Sequence, residues 1–87
     1  MKTITPFKIP NEPRFELEMP TDAKILAVTV HGGTPHMWIL HDQNALLTWR
    51  TFRLIPGKGF ITAQQENMNY ITHFKTKDNA IFIFEDI

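Results

Sequence analysis

Eighty-seven residues suffice for one modest hydrophobic core and not for two, because a chain of this length buries only about 60–65% of its unfolded surface. At 43% hydrophobic and 21% charged, with seven Phe, the composition is that of a globular domain and excludes a disordered one. Nine Lys plus Arg balance nine Asp plus Glu, so no overall field draws in a polyanion and nucleic acid is not expected as a primary partner; the absence of cysteine excludes disulfides, zinc thiolates and thiol nucleophiles.

Residues 1–13, MKTITPFKIPNEP, hold no apolar stretch of signal-peptide length, and no later run reaches 18 apolar residues, so a soluble, cytoplasmic protein without membrane contact is expected. Pro6 cannot donate to a ladder, which makes this segment an edge strand or an extended arm ahead of the breakers Pro10 and Pro13. Residues 14–19 alternate at period two: Phe15, Leu17 and Met19 fall on one face, Arg14, Glu16 and Glu18 on the other. After a turn at Pro20, Thr21 and Asp22, residues 24–30 form a nearly continuous apolar run, which predicts a strand buried on both faces or central in a sheet.

Gly32, Gly33, Thr34 and Pro35 then close a hairpin with residues 36–42, and this hairpin reads as the middle of the fold. A two-residue turn at Gly33 and Thr34 puts His31 opposite His36 and Thr29 opposite Trp38, while Pro35 favours a longer or bulged loop. Residues 47–55 resume strand character, with Arg50 and Phe52 on one face and Trp49, Thr51 and Arg53 on the other, until Pro56, Gly57, Lys58 and Gly59 end the strand. Residues 62–69 are polar nearly all round and predict a loop with at most one short helical turn. Residues 70–74 and 80–84 flank KTKDN as a second hairpin; Tyr70, Thr72 and Phe74 share one face of the first strand, and Ile81 and Ile83 lie opposite Phe82 and Phe84 on the second. The expectation is a single all-β domain over residues 1–87, a small antiparallel sandwich or open barrel of about seven short strands.

Candidate chemistry is thin. Without serine or cysteine, triads built on either nucleophile fall away. His31 and His36 can meet across the hairpin, but His36 and His41 point to opposite sheet faces, so no third ligand converges and exposed turn-flanking histidines are the favoured reading. The PGKGF loop offers two glycines and Lys58 for a phosphate nest, yet lacks the spacing and following helix of a phosphate-binding loop, so a plain turn is favoured. Arg50 and Arg53 interleave with Trp49 and Phe52 as on single-strand nucleic-acid surfaces, but they face opposite sides; core aromatics with solvated arginines is the simpler account. Glu16 and Glu18 share a solvated face and make no catalytic pair. No cofactor or metal is expected, and no enzyme.

One resemblance adds a setting. The order AKIL at Ala23 to Leu26, a Val-rich strand, Gly33 and Pro35, Trp38 and Leu40, Asp42, Arg50 and Phe52, a glycine loop at Gly57 and Gly59, Tyr70 with Ile71 and Phe74, and a closing Phe84-Glu85 resembles a small uncharacterised domain family of phage, prophage and bacterial genomes. The resemblance implies a small accessory protein of a phage or mobile element, acting in the host cytoplasm. It implies a non-enzymatic protein that binds a host or phage protein complex and inhibits a host defence, anti-CRISPR-like, with His31, His36, Arg50, Arg53 and Lys58 as candidate contacts. The alternative is a small-ligand or nucleotide-binding module taking phosphate at Gly57, Lys58 and Gly59. Zero net charge also weakens colloidal repulsion, so a homodimer is a further expectation.

Overall fold

The computed structural model describes residues 1–62 and 67–86. Its strands are β1 (Lys2–Lys8), β2 (Arg14–Pro20), β3 (Lys24–His31), β4 (Thr34–Asp42), β5 (Leu47–Pro56), β6 (Asn69–Lys75) and β7 (Ala80–Glu85). They make two antiparallel sheets, three-stranded β1-β4-β3 and four-stranded β2-β5-β7-β6, packed face to face and not closed into a barrel. Residues 63–66, the middle of the loop expected over 62–69, lie outside the described residues. No helix among the described residues is long and apolar enough to cross a membrane.

Strand alternation decides what is inside. Phe15 and Met19 of β2, Met37 and Ile39 of β4, Phe52 of β5, Phe74 of β6 and Ile83 of β7 are buried between the sheets with Ile9. Phe15 lies opposite Phe52 with ring centroids 5.5 Å apart, so the best-alternating strand supplies half of the central stack. Residues 9–13 carry the chain from one sheet to the other: the Ile9 amide donates to Pro35 O and the Leu54 amide to Pro13 O, so this link extends both ladders while Ile9 plugs the core.

Three expectations need correction. The hairpin turn is Gly32 and Gly33, at φ of +57° and +79°, so His31 lies opposite Thr34 and Thr29 opposite His36. Only glycine takes two successive positive φ values without strain, and this register leaves Pro35 opposite Val30, the second pair from the turn, where β4 owes β3 no N–H. Residues 24–30 form an edge strand, not a central or doubly buried one: Leu26, at the bulge, and Val30, beside the turn, are 45% and 39% exposed. Tyr70 does not share a face with Thr72 and Phe74. A bulge at Ile71 turns it outward, where its ring meets Phe84 edge-on at 5.6 Å.

All four edge strands are blunted against pairing with another chain. β1 carries Pro6 mid-strand, β2 is bounded by Pro13 and Pro20 and carries Arg14, Glu16 and Glu18, and β3 and β6 are bulged at Leu26 and Ile71. The bulged edges lean on each other, which closes that seam of the sandwich.

Candidate functional site

Both outer faces expose apolar side chains: Trp49 and Tyr70 on that of β2-β5-β7-β6, and Ile4 on that of β1-β4-β3. On the β1-β4-β3 face the connections are tight turns at the strand ends, and the rows can be read straight from the register: Ile4, Leu40 and Lys24; Pro6, Trp38 and Ala27; Lys8, His36 and Thr29. Ile4 is 53% exposed, and the Trp38 indole Nε1 donates to Thr29 Oγ1 at 2.8 Å, which pins the ring against the sheet. The result is an apolar stripe rimmed by Lys2, Lys8 and Lys24, with His31 and His36 at one end.

The opposite outer face carries an aromatic cluster as well as the exposed Trp49. β5 ends opposite Ile81 and β6 begins opposite Glu85. Gly59 presses on Ile55 of that face, and Tyr70, His73, Phe82 and Phe84 pack on one another.

The candidate contact residues separate into two groups. Arg50 faces inward, as its parity with Phe52 requires. Its guanidinium binds Glu85 through Nε and Nη2, both at 2.6 Å, donates from Nη1 to Ala23 O at 2.9 Å and lies 5.5 Å from the Phe52 ring centroid. Arg53, on the outer face, is held by Asp86 at 2.9 Å. Both arginines are therefore engaged within the fold and not solvated as expected, and of the two interleaved aromatics only Phe52 is core, because Trp49 lies on the outer face, 65% exposed. His31 and His36 come together with ring centroids 6.2 Å apart, and His36 Nδ1 donates to Thr34 O. Among the described residues no third side chain joins them as a metal-binding cluster. His41 sits on the inner face, its Nδ1 donating to Asp42 O and its Nε2 accepting from Thr5 Oγ1.

Lys58 stands exposed at the third position of the turn over residues 56–59, at φ +67°, where glycine would be the unstrained choice. In this loop the Gly57 amide donates to Ala80 O and the Gly59 amide to Pro56 O, so two of the three amides a phosphate nest would use are already committed. The nucleotide alternative loses its main donors.

At the hairpin end, sequence reasoning missed a groove. The link over residues 9–13 crosses the open end of the sandwich with a cleft on either side, of about 560 and 470 Å³. The two share Ile9, Pro10, Asn11, Gly33 and Pro35 as walls. The first is completed by Lys8, Leu17 and Thr34, the second by Pro13, Leu54, Pro56, Phe74 and Ile81, with Glu12 and Thr76 on its rim. Each proline is legible in the sequence as a strand breaker, but their convergence depends on which strand ends are neighbours.

Residues 1–86 match the family model described as Domain of unknown function (DUF7352). The chain belongs to that family. The match takes in both the open face and the groove, so each is part of the DUF7352 domain itself. No curated protein and no solved structure matches the chain.

Proposed function

We propose that this DUF7352 domain is a non-enzymatic binding protein that docks on a host defence complex and inhibits it, anti-CRISPR-like in action, with the outer face of β1-β4-β3 as its contact surface. The observation that carries this reading is the open stripe of Ile4, Pro6, Trp38, Leu40 and Ala27 within a rim of lysines. A central aromatic anchor with apolar neighbours and a charged rim is how binding energy concentrates in protein interfaces, the rim giving orientation and encounter rate. The blunted edges favour docking through this face over strand addition. The setting comes from the resemblance to phage and prophage domains.

The test is capture from the natural host with the tagged chain. Wild type is expected to retain subunits of a defence complex, and a variant with Trp38→Ala and Ile4→Glu to lose them while keeping its fold, since neither side chain belongs to the buried core. Failure of the wild-type chain to retain any such subunit overturns the proposal.

A further inference from the structure

We infer that the groove around residues 9–13 is a peptide subsite, taking an extended apolar segment of a partner protein flanked by carboxylates. The inference extends the binding reading above and rests on it for the partner's being a protein. Shape is the first argument. The two clefts are open and not enclosed, they adjoin at Pro10 and Asn11, and each lies within the range of about 300–1,000 Å³ typical of ligand sites.

The walls supply the second argument. Pro10, Pro13, Pro35 and Pro56 present apolar rings and no N–H donors, and Leu54, Phe74 and Ile81 continue that surface. Such walls hold a segment by its side chains and not by ladder hydrogen bonds, consistent with the blunted edges.

Charge selects the flanks. Lys8 lines the first cleft, Lys58 lies two residues beyond Pro56, and Lys75 and Lys77 bracket Thr76 on the rim of the second. Against these four stand the carboxylates of Glu12 and Asp78. The ion pairs among the described residues use the N-terminus and the three arginines and no lysine, so the ammonium groups at this end are open to an incoming anion. The groove also adjoins the open face, because Lys8 and the turn at Gly33 and Thr34 belong to both. A partner lying on Trp38 thus reaches the groove by extending along the hairpin.

Three probes test this by NMR titration of the labelled chain: a peptide with a Phe-Pro-Leu centre flanked on each side by two glutamates, the same centre flanked by lysines, and decanoate. The glutamate peptide is expected to move the methyl signals of Ile9, Leu54 and Ile81, to bind about tenfold tighter than the lysine peptide, and to weaken as salt is raised. Asn11→Trp, which fills the shared wall from an exposed position, is expected to weaken it about tenfold with the circular dichroism spectrum unchanged. Paired Lys8→Glu and Lys58→Glu substitutions are expected to reverse the peptide preference. Equal affinity for the two peptides, shifts that map around Trp38 and leave the groove unmoved, or binding of decanoate alone overturns the inference. Loss of peptide binding with host capture intact refutes the groove and leaves the proposed function standing; the opposite result does the reverse.

Discussion

The two ends of the sandwich use the same strands and reach opposite outcomes. At the Glu85 end, polar groups tie the layers shut. Arg50 of β5 reaches Glu85 of β7 and the Ala23 carbonyl ahead of β3, Asp22 accepts from the Asp42 amide, and the Gln43 amide donates to Met1 O. At the Gly33 end, prolines and glycines turn the chain, and the lysines there find no carboxylate among the described residues. Arginine's planar fork suits it to a fixed two-point pair, whereas a lysine ammonium on a flexible stem stays in water. A sheet sandwich has to leave its ends to side chains and loops, and this one places its least exposed charge pairs, Arg50–Glu85 and Arg53–Asp86, by Glu85 and leaves only the exposed Arg14–Glu16 pair toward the other end.

The largest effect is expected from breaking the closed end. Arg50→Ala strands a Glu85 carboxylate whose side chain is only 17% exposed, and is expected to cost about 3 kcal/mol in urea unfolding. Arg50→Met with Glu85→Leu removes both charges and is expected to recover most of that loss; if the double variant is as unstable as the single one, the pair is not what closes this end. At the open end, Gly33→Ala meets no atom within 4 Å but forces an alanine to φ +79°, so about 1 kcal/mol and a fall in Tm of about 4–8 °C are expected.

Lys58→Gly is expected to act in the other direction, raising stability by about 0.5–1 kcal/mol by relieving φ +67°, the gain being trimmed by the freedom glycine has when unfolded. A thermal melt decides the sign, and a loss would mean that the Lys58 side chain itself holds the open end together.

The smallest effect is a matter of pH at the closed end. The Asn44 amide, donating to Asp42 Oδ1, holds the Asp42 carboxyl below its usual 3.8, and the N-terminal charge adds to this. A carboxyl lowered on folding stabilises the fold fully above the unfolded value, and that contribution disappears as pH falls through the lowered folded value. Asp42→Asn keeps the turn acceptor and loses the charge, so the stability gap to wild type should be level above pH 3.8 and close below it. A gap independent of pH in an acid unfolding series would remove charge from the account of this end.

Much of the architecture was legible in the chain itself. Alternation in residues 14–19 put Phe15 and Met19 inside and Glu16 and Glu18 in water, and parity put Arg50 with Phe52 and Arg53 with Trp49, all as the structure has them. Parity also put His36 and His41 on opposite faces of the same strand, as the structure has them, but did not say which face a second sheet would cover. The one-residue bulges at Leu26 and Ile71 escaped the sequence because a period-two pattern cannot show where an extra residue is absorbed until its partner strand is known.

The sequence by itself determined the strands, where the chain turns to within a residue, and which side chains share a face within an unbulged strand, because side-chain alternation and the backbone limits of glycine and proline are local properties. Only the tertiary structure decided that Arg50 would be engaged by Glu85, that the face carrying Trp38 would stay uncovered, and that Pro10, Pro13, Pro35 and Pro56 would meet around one groove. Each of these joins residues from different strands, and strand order is set by how two sheets bury a shared core, which no local pattern specifies.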